Sequence, residues 1–107
     1  MISKKTINEA TRRLVEKFHP ERIILFGSQA RGTADRRSDI DLLVIYPSKK
    51  NRMKLMVEMN RSLNEINYAF DIVILSPREY EIDSQIPGTL ARYVSQDGKV
   101  IYEAAKK

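Results

Sequence analysis

Two short motifs in the first half of the sequence carry residues that suit phosphate chemistry. The pair Gly27-Ser28 is followed, after ten intervening residues, by two acids, Asp39 and Asp41. Glycine lets the backbone approach an anion closely, and a serine that opens a short helix adds a hydroxyl and free N–H groups. Arg31, one helical turn further on, can reach the same anion. We therefore expect Gly27, Ser28 and Arg31 to bind phosphate groups.

The two acids indicate a metal site. Side chains alternate across a strand, so Asp39 and Asp41 are expected on one side, where they repel each other unless a cation lies between them. Oxygen ligands without His or Cys favour Mg²⁺, with Mn²⁺ as an alternative, over zinc. Asp71, in the apolar run from Phe70 to Leu75, is the expected third acid. Three acids can hold two ions, which is the arrangement used for in-line transfer from a triphosphate.

Each of these residues also has an ordinary structural explanation. Gly27 could be only a turn, and Ser28 only a helix cap. Arg31 could be a surface charge, Asp39 a loop acid, and Asp71 one half of a buried ion pair with an arginine. The spacing, together with a third acid in the next predicted strand, favours the functional interpretation of the whole set.

Apolar periodicity and turn residues predict the elements that must position these side chains. Thr6 and Glu9 have the spacing of a capping box, which predicts a first helix that ends before Pro20. A long helix is predicted from Asn51 to Ile66, and it would connect parallel strands by a right-handed crossover. The other predicted elements are strands at 22–26, 39–46, 68–75 and 99–103, and helices at 28–31, from 77 and at 87–96.

This order of elements describes an α/β (α+β) domain with a small sheet, in which Asp41 and Asp71 lie on neighbouring strands. Ser76 and Glu79 are predicted to form a capping box at the start of the helix from 77. Ser28 is expected near the N-cap of the short helix. The core-facing positions predicted for the long helix are Met53, Met56, Val57, Asn60, Leu63 and Ile66.

Composition limits the classes of protein that need to be considered. The chain has 107 residues and is expected to form a single domain over residues 1–107. It has no cysteine and no apolar run long enough to span a bilayer, so we expect a cytoplasmic protein without disulfides or membrane contact. The net charge of +5 suits an anionic partner. RNA binding is an open alternative that is not favoured, because no aromatic residues are interleaved with the basic clusters.

With these motifs the chain resembles the minimal nucleotidyltransferases, the small members of the DNA polymerase β-like nucleotidyltransferase superfamily. Their signature is Gly-Ser, a spacer, Asp-x-Asp, and a third acid in a following strand. The resemblance implies a nucleotidyltransferase fold with a small mixed sheet packed by helices. It also implies that Asp39 and Asp41 bind both metal ions, and that Asp71 binds the catalytic ion and helps to deprotonate the acceptor. Segments outside the signature that are also similar are 25–26, 30–32 and 97–102.

Short stand-alone members of this family are similar to the antitoxin half of HEPN-MNT toxin–antitoxin modules, which transfer AMP from ATP to a tyrosine of a HEPN ribonuclease. The resemblance thus implies a Mg²⁺-dependent adenylyltransferase with ATP as substrate and a helical HEPN-type toxin as partner. Two alternatives stay open: a catalytic subunit that transfers a nucleotide to a small molecule or an RNA end, and a non-catalytic antitoxin that neutralises by binding. A template-directed polymerase is not expected, because 107 residues leave no room for a duplex-binding domain.

Overall fold

Runs of branched and aromatic residues form four strands, and amphipathic segments form the helices around them. The computed structural model describes residues 4–32, 39–47 and 51–105. No helix in these ranges is long and apolar enough to cross a membrane. The elements are α1 Lys4–Phe18, β1 Arg22–Phe26, α2 Ser28–Arg31, β2 Ile40–Ile45, α3 Arg52–Ser62, β3 Phe70–Leu75, α4 Pro77–Asp83, α5 Leu90–Asp97 and β4 Lys99–Glu103.

The four strands form one mixed sheet in the order β3-β2-β1-β4. Strand β1 is antiparallel to both β2 and β4, whereas β2 and β3 are parallel and are connected through α3. The predicted parallel pairing is therefore confirmed, and so are the fold class and the position of β4 at an edge. Strand β3 forms the other edge of the sheet.

Helices cover both faces of the sheet. Helices α1 and α3 lie on one face, over a core made of Ala10, Leu14, Phe18, Ile23, Leu25, Ala30, Ile40, Leu42, Val44, Leu55, Met59, Leu63, Ile72 and Ile74. Helix α5 lies on the opposite face, over a smaller core made of Ile24, Phe26, Leu43, Ile45 and Val94. Because side chains alternate along a strand, Asp41 shares the α5 face with Leu43 and Ile45.

The predicted start of the first helix is wrong. Helix α1 is already helical at Lys4, so Thr6 lies inside the helix and cannot cap it. Glu9 does not close a capping box, because its carboxylate accepts hydrogen bonds from Arg12 (3.1 Å) and Arg13 (3.0 Å) on the following turn. The capping box predicted at Ser76 and Glu79 is confirmed.

Helix α3 is shorter than predicted, and the prediction of its core-facing side is only partly confirmed: Leu63 is buried, and Met56 and Ile66 pack against the core. It begins after Asn51, whose side chain caps it. It ends at Ser62, after which successive turns are closed by hydrogen bonds between residues three positions apart. The buried stripe runs through Leu55, Met59 and Leu63, one helical turn apart. Two residues predicted to face the core are exposed: Met53 by 65% and Val57 by 45%.

Other boundaries differ by one to three residues. Strand β2 starts at Ile40, so Asp39 precedes the strand instead of belonging to it. Strand β3 starts at Phe70 because residues 66–68 form a bend, and α5 starts at Leu90 after its cap Thr89. The N-cap of α2 is Gly27 and not Ser28, which is the first residue of the helix.

Candidate functional site

The three predicted acids come together at one end of the sheet. Asp41 pairs with Asp71 in the parallel register of β2 and β3, and with Phe26 in the antiparallel register of β2 and β1. Residues directly opposite each other on neighbouring strands have side chains on the same face. Asp39 immediately precedes β2. The end of the sheet where β1 finishes and β2 and β3 begin therefore carries three carboxylates.

Gly27 lies directly against one of these carboxylates. A Cβ atom built on Gly27 would overlap Oδ2 of Asp41, so only glycine fits beside the carboxylate as it stands. Its backbone angles, φ 75° and ψ −156°, fall in a region that is essentially restricted to glycine. The contact explains why a glycine follows β1 at this point: it leaves room for Asp41 and allows the sharp change of direction into α2.

The surroundings of Asp41 are unfavourable to the ionisation of its carboxyl group. The pKa of Asp41 is raised above its ordinary value, first by burial and then by the charges of Asp71 and Asp39. No arginine or lysine whose side chain the structure describes forms an ion pair with any of the three acids. The negative charge of Asp41 therefore favours either a proton or a cation at this end of the sheet.

The chemistry of these side chains fits a divalent cation of the Mg²⁺ type, which prefers carboxylate oxygens. The charges fit as well, because a cation would offset the burial and the neighbouring carboxylate charges that raise the pKa of Asp41. The three carboxylates are not gathered into a ready ligand set: among the described side chains, no three His, Cys, Asp or Glu groups have that geometry. Asp39, Asp41 and Asp71 thus fit an ion by donor type and charge.

The three predicted phosphate ligands are only partly described. Gly27 and Ser28 lie at the start of α2. Gly27 is also next to Asp41. Arg31 belongs to α2 by its backbone, but its side chain lies outside the described residues, as do residues 33–38 between Gly32 and Asp39. The structure therefore brings Gly27 to the acid cluster, and phosphate binding by all three residues stays a prediction.

A groove beside Asp71 was not predicted from the sequence. It has a volume of about 310 Å³ and is lined by Arg52, Met53, Met56, Asp71, Ile72, Val73 and Ile74. The sequence interpretation missed it because Met53 was predicted to face the core, whereas it stands exposed at the outer edge of β3. The only signal was the apolar character of α3 on more than one side.

Comparison with known proteins identifies the chain's relatives. The family described as Polymerase beta, Nucleotidyltransferase matches residues 8–107. A Methanocaldococcus jannaschii protein, described as a candidate protein adenylyltransferase, is 38% identical over 92 residues. That match covers 76% of this chain and 57% of the relative, so the chain spans little more than half of the relative's length.

Two solved structures have a similar fold. A candidate nucleotidyltransferase from Sulfolobus solfataricus superposes with a TM-score of 0.64 and 24% identity, covering 92% of this chain and 78% of its own. A toxin–antitoxin crystallised with AMP-PNP superposes with a TM-score of 0.65 and 22% identity, covering 96% and 75% respectively. At these identities the two structures show the shared fold. The fold and the family resemblance expected from the sequence are confirmed.

Proposed function

The chain belongs to the family described as Polymerase beta, Nucleotidyltransferase, and from this premise we propose that it is a nucleotidyltransferase that transfers AMP from ATP to a hydroxyl of a partner protein. The observation that carries the proposal is the cluster of three carboxylates at one end of the sheet, of which Asp41 lies against Gly27. The description of the M. jannaschii relative as a candidate protein adenylyltransferase supports this choice of acceptor class.

In this proposal Asp39 and Asp41 would hold both divalent cations, and Asp71 would hold the catalytic ion and lie beside the acceptor. Bound Mg²⁺, or Mn²⁺, would neutralise the triphosphate and the departing pyrophosphate. The acceptor oxygen forms a bond to the α-phosphorus, while the bond from that phosphorus to the oxygen bridging to the β-phosphate breaks. The proton of the acceptor hydroxyl passes to Asp71, whose exposed carboxylate on the edge strand is open to a partner.

The binding of the triphosphate is assigned to the turn after β1. Gly27 lets the nucleotide approach the backbone, Ser28 offers its hydroxyl, and Arg31 offers a positive charge. The positively charged chain, with a net charge of +5, also favours the approach of an anionic nucleotide. These assignments rest on the resemblance and on the proximity of Gly27 to Asp41.

The partner in this proposal is a helical toxin of the HEPN type, modified on a tyrosine, so that the chain acts as an antitoxin. The support is the fold shared with a toxin–antitoxin that binds AMP-PNP. In this proposal the domain covers residues 1–107, and its acceptor lies on the surface of that second protein. The proposed setting is the cytoplasm.

The test is to incubate the purified chain with ATP, Mg²⁺ and the product of the neighbouring gene, and to weigh that product by intact-protein mass spectrometry. The expected result is the addition of AMP-sized increments. Replacing Asp39→Asn together with Asp41→Asn should lower the transfer rate by about a thousandfold or more, because charge neutralisation at the phosphates is lost. Asp97→Asn, an exposed acid in α5, is the matched control and should leave the rate unchanged.

Three results would contradict the proposal in different ways. If the wild type adds no AMP at saturating Mg²⁺, protein adenylylation is wrong. If the double variant still neutralises the toxin, the chain is an antitoxin that acts by binding alone. If labelled ATP instead modifies an aminoglycoside or an RNA end, the acceptor is a small molecule or RNA.

A further inference from the structure

The outer side of β3 is an open sheet edge. Along a strand, alternate residues direct their backbone N–H and C=O groups to opposite sides. The carbonyls of Ala69 and Leu75 accept hydrogen bonds from the β2 side at 2.9 Å, so the residues in phase with them face β2. Phe70, Ile72 and Ile74 are out of phase and therefore direct their backbone groups away from the sheet.

One of these outward groups is already used, and the others are available. Arg52 donates to the carbonyl of Ile74 at 3.4 Å and is itself held by an ion pair with Glu79. The outward groups of Phe70 and Ile72 form no hydrogen bond with any part of the chain that the structure describes. An extended backbone laid beside β3 would satisfy these groups, as in other cases where a peptide adds a strand to a sheet edge.

The groove along this edge has an apolar floor and ends at a candidate catalytic acid. Met53, Met56, Ile72 and Ile74 supply the apolar lining, and Asp71 lines the same groove. Met53 is 65% exposed although it is a large apolar side chain. The edge thus offers main-chain hydrogen bonds, apolar contact and a carboxylate within one continuous surface.

We propose that the β3 edge groove binds an extended segment of the acceptor protein as an added strand, with the acceptor residue opposite Asp71. In such a pair the residue opposite Asp71 has its side chain on the same face as that carboxylate. Its two neighbours point to the other face of the sheet, where Met53 and Met56 lie. The acceptor is therefore a hydroxyl-bearing residue with an apolar residue on each side. This inference rests on the proposed function for the role of Asp71.

The test uses a heptapeptide probe, acetyl-Lys-Thr-Val-Tyr-Val-Thr-Lys-amide, titrated into the chain without nucleotide. The expected result is binding, with slower hydrogen exchange at the amides of Phe70 and Ile72. Met53→Lys should raise the Kd of the peptide by about tenfold, because a charged side chain replaces part of the apolar lining of the groove. Val57→Lys is the matched control, since Val57 is an exposed apolar residue of the same helix that does not line the groove. A second probe carries aspartate in place of both valines. Its affinity for the wild-type chain should be no higher than the affinity of the first probe for the Met53→Lys variant.

Equal Kd values for Met53→Lys and Val57→Lys, or unchanged exchange at Phe70 and Ile72, would overturn the inference. So would sedimentation showing that the chain forms a dimer that does not bind the peptide. These binding results do not depend on catalysis. If the peptide binds as expected but no AMP is transferred, the groove stands and the proposed function fails. If AMP is transferred to the toxin at the same KM by Met53→Lys and Val57→Lys, the function stands and the groove fails.

Discussion

Carboxylates near the two ends of strand β3 have opposite environments. Glu79, just beyond the far end of β3, accepts hydrogen bonds from Arg52 and from the backbone N–H of Ser76, and its pKa is lowered to about 2. Asp41, level with the near end of β3, has two carboxylates as neighbours, and its pKa is raised by burial and by their charges. The fold compensates the acid that caps a helix, and it leaves the acid at the candidate site without a compensating cation among the described residues.

The compensated arrangement recurs in α1. Glu9 accepts hydrogen bonds from Arg12 and Arg13, and its pKa is lowered to about 2. Arginines are thus placed beside acids that serve structure in two separate parts of the chain. Among the described side chains, no cation is paired with the Asp41 cluster. A metal-bound triphosphate, as proposed above, would supply positive charge there.

Among changes that leave all three acids in place, the largest effect should come from removing the space on which Asp41 depends. Gly27→Ala places a Cβ atom where Oδ2 of Asp41 lies and forces alanine into a glycine-only backbone conformation. We expect AMP transfer to fall by about a hundredfold, the size of effect that a displacement of about 1 Å has at a catalytic centre. The strain should also lower the free energy of unfolding by about 1–3 kcal/mol. Steady-state kinetics and urea unfolding measure the two effects separately.

Gly32→Ala is the control for backbone strain alone. Gly32 also has a positive φ, of 73°, but a Cβ atom there meets nothing within 4 Å. Gly32→Ala should lower the free energy of unfolding, but it should reduce the rate of AMP transfer much less than Gly27→Ala does. If the rate of AMP transfer falls by the same factor in both variants, the contact between Gly27 and Asp41 does not determine the rate. The contrast between the two acid environments is then weakened.

Sequence motifs were sufficient to predict that Asp41 and Asp71 lie side by side, because the two residues are linked by strand register. Once β2 and β3 are parallel, the position of Asp71 beside Asp41 follows from pairing, and the polar residue in an apolar run marks it. The face of α3 could not be predicted because the helix is apolar on two sides. Which side is buried depends on packing against α1 and β3, so Met53 was assigned to the core and the groove beside it was missed. The capping box predicted at the start of α1 is wrong because the carboxylate of Glu9 accepts hydrogen bonds from arginines within the helix.

A smaller effect is expected from neutralising Asp41 in the absence of divalent cations. The raised pKa means that Asp41 holds its proton more tightly in the folded state than in the unfolded state. Ionisation of Asp41 therefore lowers the free energy of unfolding as the pH rises above the pKa of Asp41 in the unfolded state. At neutral pH, Asp41→Asn should raise the free energy of unfolding by up to about 1 kcal/mol, an amount limited by solvent screening. Urea unfolding in EDTA measures it, and Asp97→Asn should show no such gain. A loss of stability in Asp41→Asn would contradict the described repulsion.

The smallest effect is expected at the compensated acid. Glu79→Gln keeps the capping geometry but removes the charge that pairs with Arg52, so stability at neutral pH should fall by about 0.5 kcal/mol, as is usual for exposed pairs. Because the folded pKa of Glu79 is lowered, its contribution is present above its ordinary pKa of 4.5 and is lost as pH falls towards about 2. Unfolding curves of both proteins should converge over that pH range. A difference that is constant with pH would show that the charge pair is not its source.

The central claim, that the acids at the near end of the sheet bind a metal-complexed nucleotide, is tested most directly by calorimetric titration of AMP-PNP with Mg²⁺ and with EDTA. We predict that removal of Mg²⁺ weakens binding to the wild-type chain by at least about tenfold, because the phosphates then meet uncompensated carboxylates. Asp41→Asn should lose most of this dependence on Mg²⁺. Equal affinity of the wild-type chain in Mg²⁺ and in EDTA would contradict the claim.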